Sequence, residues 1–201
     1  HYPDALLLKA RCMAYDAEHI SNHEQKKEVL QKAVGLIDTA ISLKGTNSRF
    51  SIAHAQLYNR IGFYDDGNTE HYRNANRILT PVLGQASSEL PAIIEYGISL
   101  MGMRKTHEAM KIFQFLRYLD PKDNQPNVLW GKAMLLYQYA LQTKGSLGQR
   151  DQRKILILLE KARKMDGKNP LFQSLIEEVK GFGQQKSQVS KLTNNREEQT
   201  I

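Results

Sequence analysis

Two histidines, His19 and His23, stand four residues apart, a separation that permits two imidazoles on one helical face. A zinc site needs further ligands, and none stands nearby. Ser21 and Asn22 also interrupt the helical run between the two rings. The Asp65–Asp66–Gly67–Asn68 stretch suggests a calcium loop, but it lacks the alternating ligands and closing glutamate of an EF-hand. It reads as a turn. Asp65 with Asp66, and Glu177 with Glu178, are sequence neighbours. Adjacent helical residues diverge, so neither pair suits general acid and base work. Cys12 is the single cysteine, in a run that reads as a packed helix, and no base is assigned to activate it. The sequence contains no GxxxxGK(S/T), GxGxxG or GxSxG. No catalytic residue, cofactor or metal site is therefore expected.

Recognition chemistry remains. The 28 Lys and Arg against 21 Asp and Glu give a formal charge of +7. That balance suits an acidic protein surface or a nucleic-acid backbone and does not choose between them. The densest basic group is Arg150, Arg153, Lys154, Lys161, Arg163 and Lys164, with Arg150 and Lys154 spaced to share a helical side. It reads as a solvated face, as a site for an acidic peptide, or as a nucleic-acid contact. No RNP-like aromatic motif or zinc-finger spacing supports the last. Tyr58, Asn59, Gln138 and Tyr139 are candidates to line a groove, with core packing as the alternative for both tyrosines.

The elements that would position these residues come from apolar periodicity. The chain has 201 residues, 41% of them apolar, enough for one domain of roughly 180 residues and a tail. No stretch approaches the ~18 apolar residues of a membrane span. The chain begins at His1 without a methionine, as expected of a fragment or processed product. The single cysteine is compatible with a reduced compartment, and cytoplasm or nucleus is the favoured location.

Residues 91–121 read PAIIEYGISLMGMRKTHEAMKIFQFLRYLDP. Ile93, Tyr96, Gly97 and Leu100 share one helical face, a short polar turn follows, and Ala109, Phe113 and Leu116 resume the stripe before Pro121. This hairpin resembles the tetratricopeptide repeat, whose period is 34 residues. Trp130–Gly131 repeats Tyr96–Gly97 at that period, and Met134 aligns with Leu100. The Ala109–Phe113–Leu116 spacing recurs as Ala33–Ile37–Ala40, Ala75–Leu79–Val82 and Ile155–Leu159–Ala162.

Four hairpins are expected, at about 3–45, 51–84, 89–121 and 126–167, with a capping helix at 170–182 over the exposed end and a polar, flexible tail at 183–201. Ser21 with Glu24 would cap the second helix, Ser51 would open the third, and Ser88 would cap the fifth. Pro81 should kink or shorten the fourth. The resemblance implies an all-α, right-handed α-solenoid with a concave and a convex face. It also implies a non-catalytic scaffold that binds a protein or peptide, with a nucleic-acid-binding helical repeat as the alternative. One branch of the family clamps a terminal carboxylate with lysine, arginine and asparagine on first helices. The matching positions here hold Ile94, Glu95 and Ile98, then Val128, Leu129 and Lys132, so that function is not carried over.

Overall fold

The computed structural model describes residues 2–65, 68–85 and 89–182. These residues form α1 (Tyr2–Ala17), α2 (His23–Lys44), α3 (Ser48–Tyr64), α4 (Thr69–Gln85), α5 (Leu90–Gly102), α6 (Thr106–Leu119), α7 (Pro126–Lys144) and α8 (Gln149–Met165). A last helix, α9, covers 170–182, and no strand occurs among the described residues. The expected tail lies outside them.

Helices pack as sequential hairpins: α1 with α2, α3 with α4, α5 with α6, α7 with α8. Each second helix also packs on the first helix of the next pair, and α3, α5 and α7 touch one another in series. The result is the stacked, all-α hairpin arrangement that the periodicity implies. The recurring triplets face inward. Ala33, Ile37, Ala40, Ala75, Leu79, Val82, Ala109, Leu116, Ile155, Leu159 and Ala162 are all buried. Phe113 is only partly buried.

Local ends differ from the sequence reading at several points. Asn22, not Ser21, caps α2: its Oδ1 accepts from the Gln25 amide at 3.0 Å. Asn47 caps α3 through Phe50 N at 3.1 Å, so that helix opens at Ser48 rather than Ser51. In both cases a nearby asparagine, one residue after Ser21 and four before Ser51, offers a better-placed acceptor. Ser51 is itself buried inside the helix. Pro81 does not end α4, which runs on to Gln85. Proline withholds one amide from the Arg77 carbonyl, but Val82 and Leu83 beyond it pack into the core and hold the last turn. Ser88 lies outside the described residues, and Glu89 at the N-cap of α5 makes no side-chain cap bond.

The turn between α6 and α7 is pinned by Asp120. Its carboxylate accepts from Asn124 N at 2.9 Å and Gln125 N at 2.8 Å. Lys132 is buried beneath it, donating to the Asp120 carbonyl at 3.1 Å and to Asp123 Oδ1 at 2.8 Å. A buried ammonium is tolerated only with such partners.

The last helix does more than cap an end. Phe172, Leu175, Ile176 and Val179 join the core shared by α5 to α8. Gln152 Nε2 donates to the Val179 carbonyl at 2.9 Å. Its other side reaches the start of the chain, where His23 Nε2 meets Glu178 Oε1 at 3.0 Å. That exposed pair contributes roughly 0–1 kcal/mol. Each buried apolar side chain of the stripe is worth about 1.5–3 kcal/mol, so packing sets the position of α9 and the ion pair follows.

Four glycines admit neighbouring helices, Gly62 and Gly102 against Tyr72 of α4 and Gly97 and Gly131 against isoleucines. A Cβ on Gly97 would lie 2.8 Å from Ile112 of α6, and one on Gly131 would lie 2.8 Å from Ile94 of α5. Gly35 in α2 has nothing within 4 Å of its ideal Cβ. Gly131→Ala and Gly97→Ala should each lower unfolding free energy by about 1–3 kcal/mol, since β-branched isoleucines yield poorly. Gly35→Ala should raise it by about 0.4–1 kcal/mol. Urea denaturation of the three variants reads both signs.

Candidate functional site: a groove crossed by the last helix

The odd-numbered helices build a groove of about 450 Å³. Arg11, Ala14 and Tyr15 come from α1, Gln56 and Arg60 from α3, Ile94 and Glu95 from α5, Asn127 and Trp130 from α7, and Leu171 from α9. Alanines at 10, 14 and 53 keep the wall between α1 and α3 thin. A second recess of about 510 Å³ lies between the α1–α2 turn and α9, lined by His19, Ser21, His23, Lys26, Gln173 and Glu177 among others.

A narrow cavity of about 30 Å³ sits between the two. It shares Arg60, Glu95, Trp130 and Leu171 with the groove, and Glu18, Ser174 and Glu178 with the recess. Asn59 and Gln138 complete its polar lining. Asn59 Nδ2 donates to the Glu95 carbonyl at 2.9 Å and to Glu95 Oε2 at 2.8 Å. Both partners are acceptors, which fixes the orientation of the amide and leaves Asn59 Oδ1 directed elsewhere. Asn59 Oδ1, Trp130 Nε1 and Gln138 Oε1 are buried and have no hydrogen-bond partner.

The electrostatics separate into two sides. On one, the Glu18 carboxylate accepts from the Tyr64 hydroxyl at 3.1 Å and faces Arg60 Nη1 at 3.7 Å. Arg60 also donates to the Ala14 carbonyl at 3.3 Å, so its guanidinium is drawn toward α1. Burial and the Glu18 charge push the Tyr64 phenol well up, and the Lys26 ammonium stands 4.7 Å from that ring. On the other side, burial pushes the Glu95 carboxyl up, against the opposing pull of Asn59, Arg60 and Gln56.

Asn59 and Gln138, named from the sequence, thus meet at one cavity from α3 and α7. Their neighbours do not join them. Tyr58 packs against a tilted His54 ring at 4.8 Å and stacks with His71 at 6.1 Å, and Tyr139 packs partly buried against the core of the later helices. Arg150, Arg153 and Lys154 are exposed on α8 and line none of these spaces. Cys12 is exposed on α1 rather than packed, because it points away from the Leu7–Ala10–Ala14 stripe. His19 Nδ1 lies 3.2 Å from the Tyr15 carbonyl, while His23 turns to Glu178. Asp65 carries ion pairs with Lys27 at 3.0 Å and His71 at 3.4 Å. Among the described residues no group of three His, Cys, Asp or Glu gathers to hold a metal.

Glu95, Arg60 and Trp130 are the lining residues that sequence reasoning did not single out as a site. Glu95 carried a signal: a lone carboxylate amid Ile93, Ile94 and Ile98 has no solvated face to occupy. No known family, curated protein or solved structure matches this chain.

The raised Glu95 carboxyl has a definite linkage sign. Above the ordinary value of 4.5 the unfolded chain loses this proton more readily than the folded one. Glu95 therefore contributes stability at low pH, and that contribution is lost as pH rises through its folded-state value. Glu95→Gln keeps an acceptor for Asn59 and carries no such loss. Its melting temperature should match that of the parent below about pH 4.5 and exceed it increasingly above. Thermal melts across pH 4–8 measure the gap, and a gap independent of pH contradicts the assignment.

Proposed function

We propose that this chain is a non-catalytic protein-interaction module of tetratricopeptide-like character that holds an extended segment of a partner protein in the groove. The observation that carries the reading is the composition of the groove wall. Five helices, α1, α3, α5, α7 and α9, each contribute to one continuous concavity. Such a surface contacts a segment along its length, which a convex hairpin face does not. Its volume falls in the ~300–1,000 Å³ range of binding clefts. Gln56 and Asn127 offer side-chain amides to a peptide backbone, and Arg11 and Arg60 give the mouth a positive character suited to acidic flanking residues.

The rim provides the test. Arg11 and Tyr15 are exposed, so replacing them leaves the core intact. Peptides selected from a random library on the parent chain should bind Arg11→Glu/Tyr15→Ala at least tenfold more weakly by fluorescence polarisation, a loss of about 1.4 kcal/mol. The melting temperature should stay unchanged. Equal affinity for both chains refutes the groove as the binding surface.

A second reading rests on Arg150, Arg153 and Lys154. All three are exposed on one side of α8, and none forms an ion pair among the described residues. If this face binds nucleic acid, affinity should fall linearly in log–log form with salt, and the triple reversal to glutamate should flatten that slope by up to about three phosphate contacts. An unchanged slope in the triple variant removes this face from consideration.

A further inference from the structure

The narrow cavity beside the groove carries three unsatisfied valences of a particular kind. Asn59 Oδ1 and Gln138 Oε1 are acceptors, and Trp130 Nε1 is a donor. Their side chains belong to residues more than nine-tenths buried, and all three line the same cavity. Asn59 cannot turn its amide to change this, because both Nδ2 contacts with Glu95 would be lost. A buried polar group left unpaired costs about 1–3 kcal/mol, so three in one place are an expensive arrangement for a wall that only packs.

We propose that Asn59, Trp130 and Gln138 form a subsite for a neutral primary carboxamide, entering from the groove. A primary amide has two N–H donors and one carbonyl acceptor, the complement of the two acceptors and one donor in the wall. The cavity of about 30 Å³ exceeds the ~10–15 Å³ that one water needs, which gives room for the planar head of such a group. The two charged alternatives fit worse. An ammonium offers donors to both carbonyl oxygens but leaves Trp130 Nε1 unpaired and stands beside the Arg60 cation. A carboxylate meets two carbonyl oxygens and the Glu95 carboxyl, and besides the indole its one cationic donor, Arg60, is already drawn to Glu18 and the Ala14 carbonyl.

The same chemistry has two sources: an asparagine or glutamine side chain of a bound segment, or a free small amide. The first rests on the groove reading above; the second does not. Selectivity would come from unpaired groups, since a site built for a hydrogen-bonding head rejects an isostere that lacks the donors.

Trp130 is the only tryptophan, so its indole N–H gives a single, assignable NMR resonance at the site. Acetamide titrated into the unaltered full chain should shift that resonance saturably. N,N-dimethylacetamide, acetate and methylammonium should give no saturable shift. Gln138→Met keeps the side-chain length, removes one orphaned acceptor, and should weaken acetamide at least tenfold while melting at or above the parent temperature. An absent acetamide shift, an equal response to N,N-dimethylacetamide, or undiminished acetamide binding by a folded Gln138→Met chain each overturns the subsite. The probe series on the unaltered chain decides without the variant. Groove peptides separate the sources. Competition with acetamide that is lost on replacing the peptide's Asn or Gln by Leu assigns the subsite to a partner side chain. A peptide that binds without competing assigns it to a free amide. Acetamide binding with no groove peptide recovered upholds the subsite and rejects the groove reading.

Discussion

The first helices of successive hairpins touch, and the molecule is organised by that contact. Gly131 lets α7 come against Ile94 of α5, and Ala53 with Ala14 thins the wall between α3 and α1. Side chains of ordinary size at these points would push the odd helices apart. With them close, the second helices are displaced to the outside, and their alanine-containing triplets face back toward the seam. The groove is the space left on the free side of the odd helices. Its depth is a direct result of how small the residues at the contacts are.

Such close approach makes polar groups in the seam consequential. Asn59 ties α3 to both the backbone and the carboxyl of Glu95 on α5. Lys132 ties α7 to the turn that precedes it. The two devices differ in completeness. The ammonium of Lys132 has a carbonyl and a carboxylate within 3.1 Å. The seam around Asn59, Trp130 and Gln138 keeps unpaired atoms. Paired buried polar groups fix the register of neighbouring elements, while unpaired ones lower stability. The chain thus holds a fully paired polar junction at the α6–α7 turn and one with unpaired atoms in the narrow cavity beside the groove.

The hairpin repeat was legible because it is local. A stripe at helical spacing, a polar turn and a second stripe report one packing event, and the 34-residue step from Tyr96 to Trp130 reports its repetition. Helix caps were misplaced by a residue or a few because Ser and Asn compete for the same role, and only backbone geometry selects between Ser21 and Asn22. The candidate groove residues were half legible for a geometric reason. Tyr58 and Asn59 are neighbours, as are Gln138 and Tyr139, and neighbours on a helix of 3.6 residues per turn point about 100° apart. Only one of each pair can face the cavity, and it is the amide. Trp130 fills a repeat position in the sequence, and nothing in that spacing marks its buried N–H as unpaired. The reach of α9 to the α1–α2 turn was not legible at all. It depends on the curvature accumulated over four hairpins, and no single stretch encodes that sum.

The position of α9 changes what kind of object the stack is. An open solenoid is a one-dimensional array in which each unit answers only to its neighbours, and the terminal units loosen first. Here the final helix is buried in the last hairpin and also in contact with His23 at the first. The array thereby brings its last helix against its first hairpin, through a contact that is itself weak. The recess between the α1–α2 turn and α9 therefore has one wall from each end of the stack.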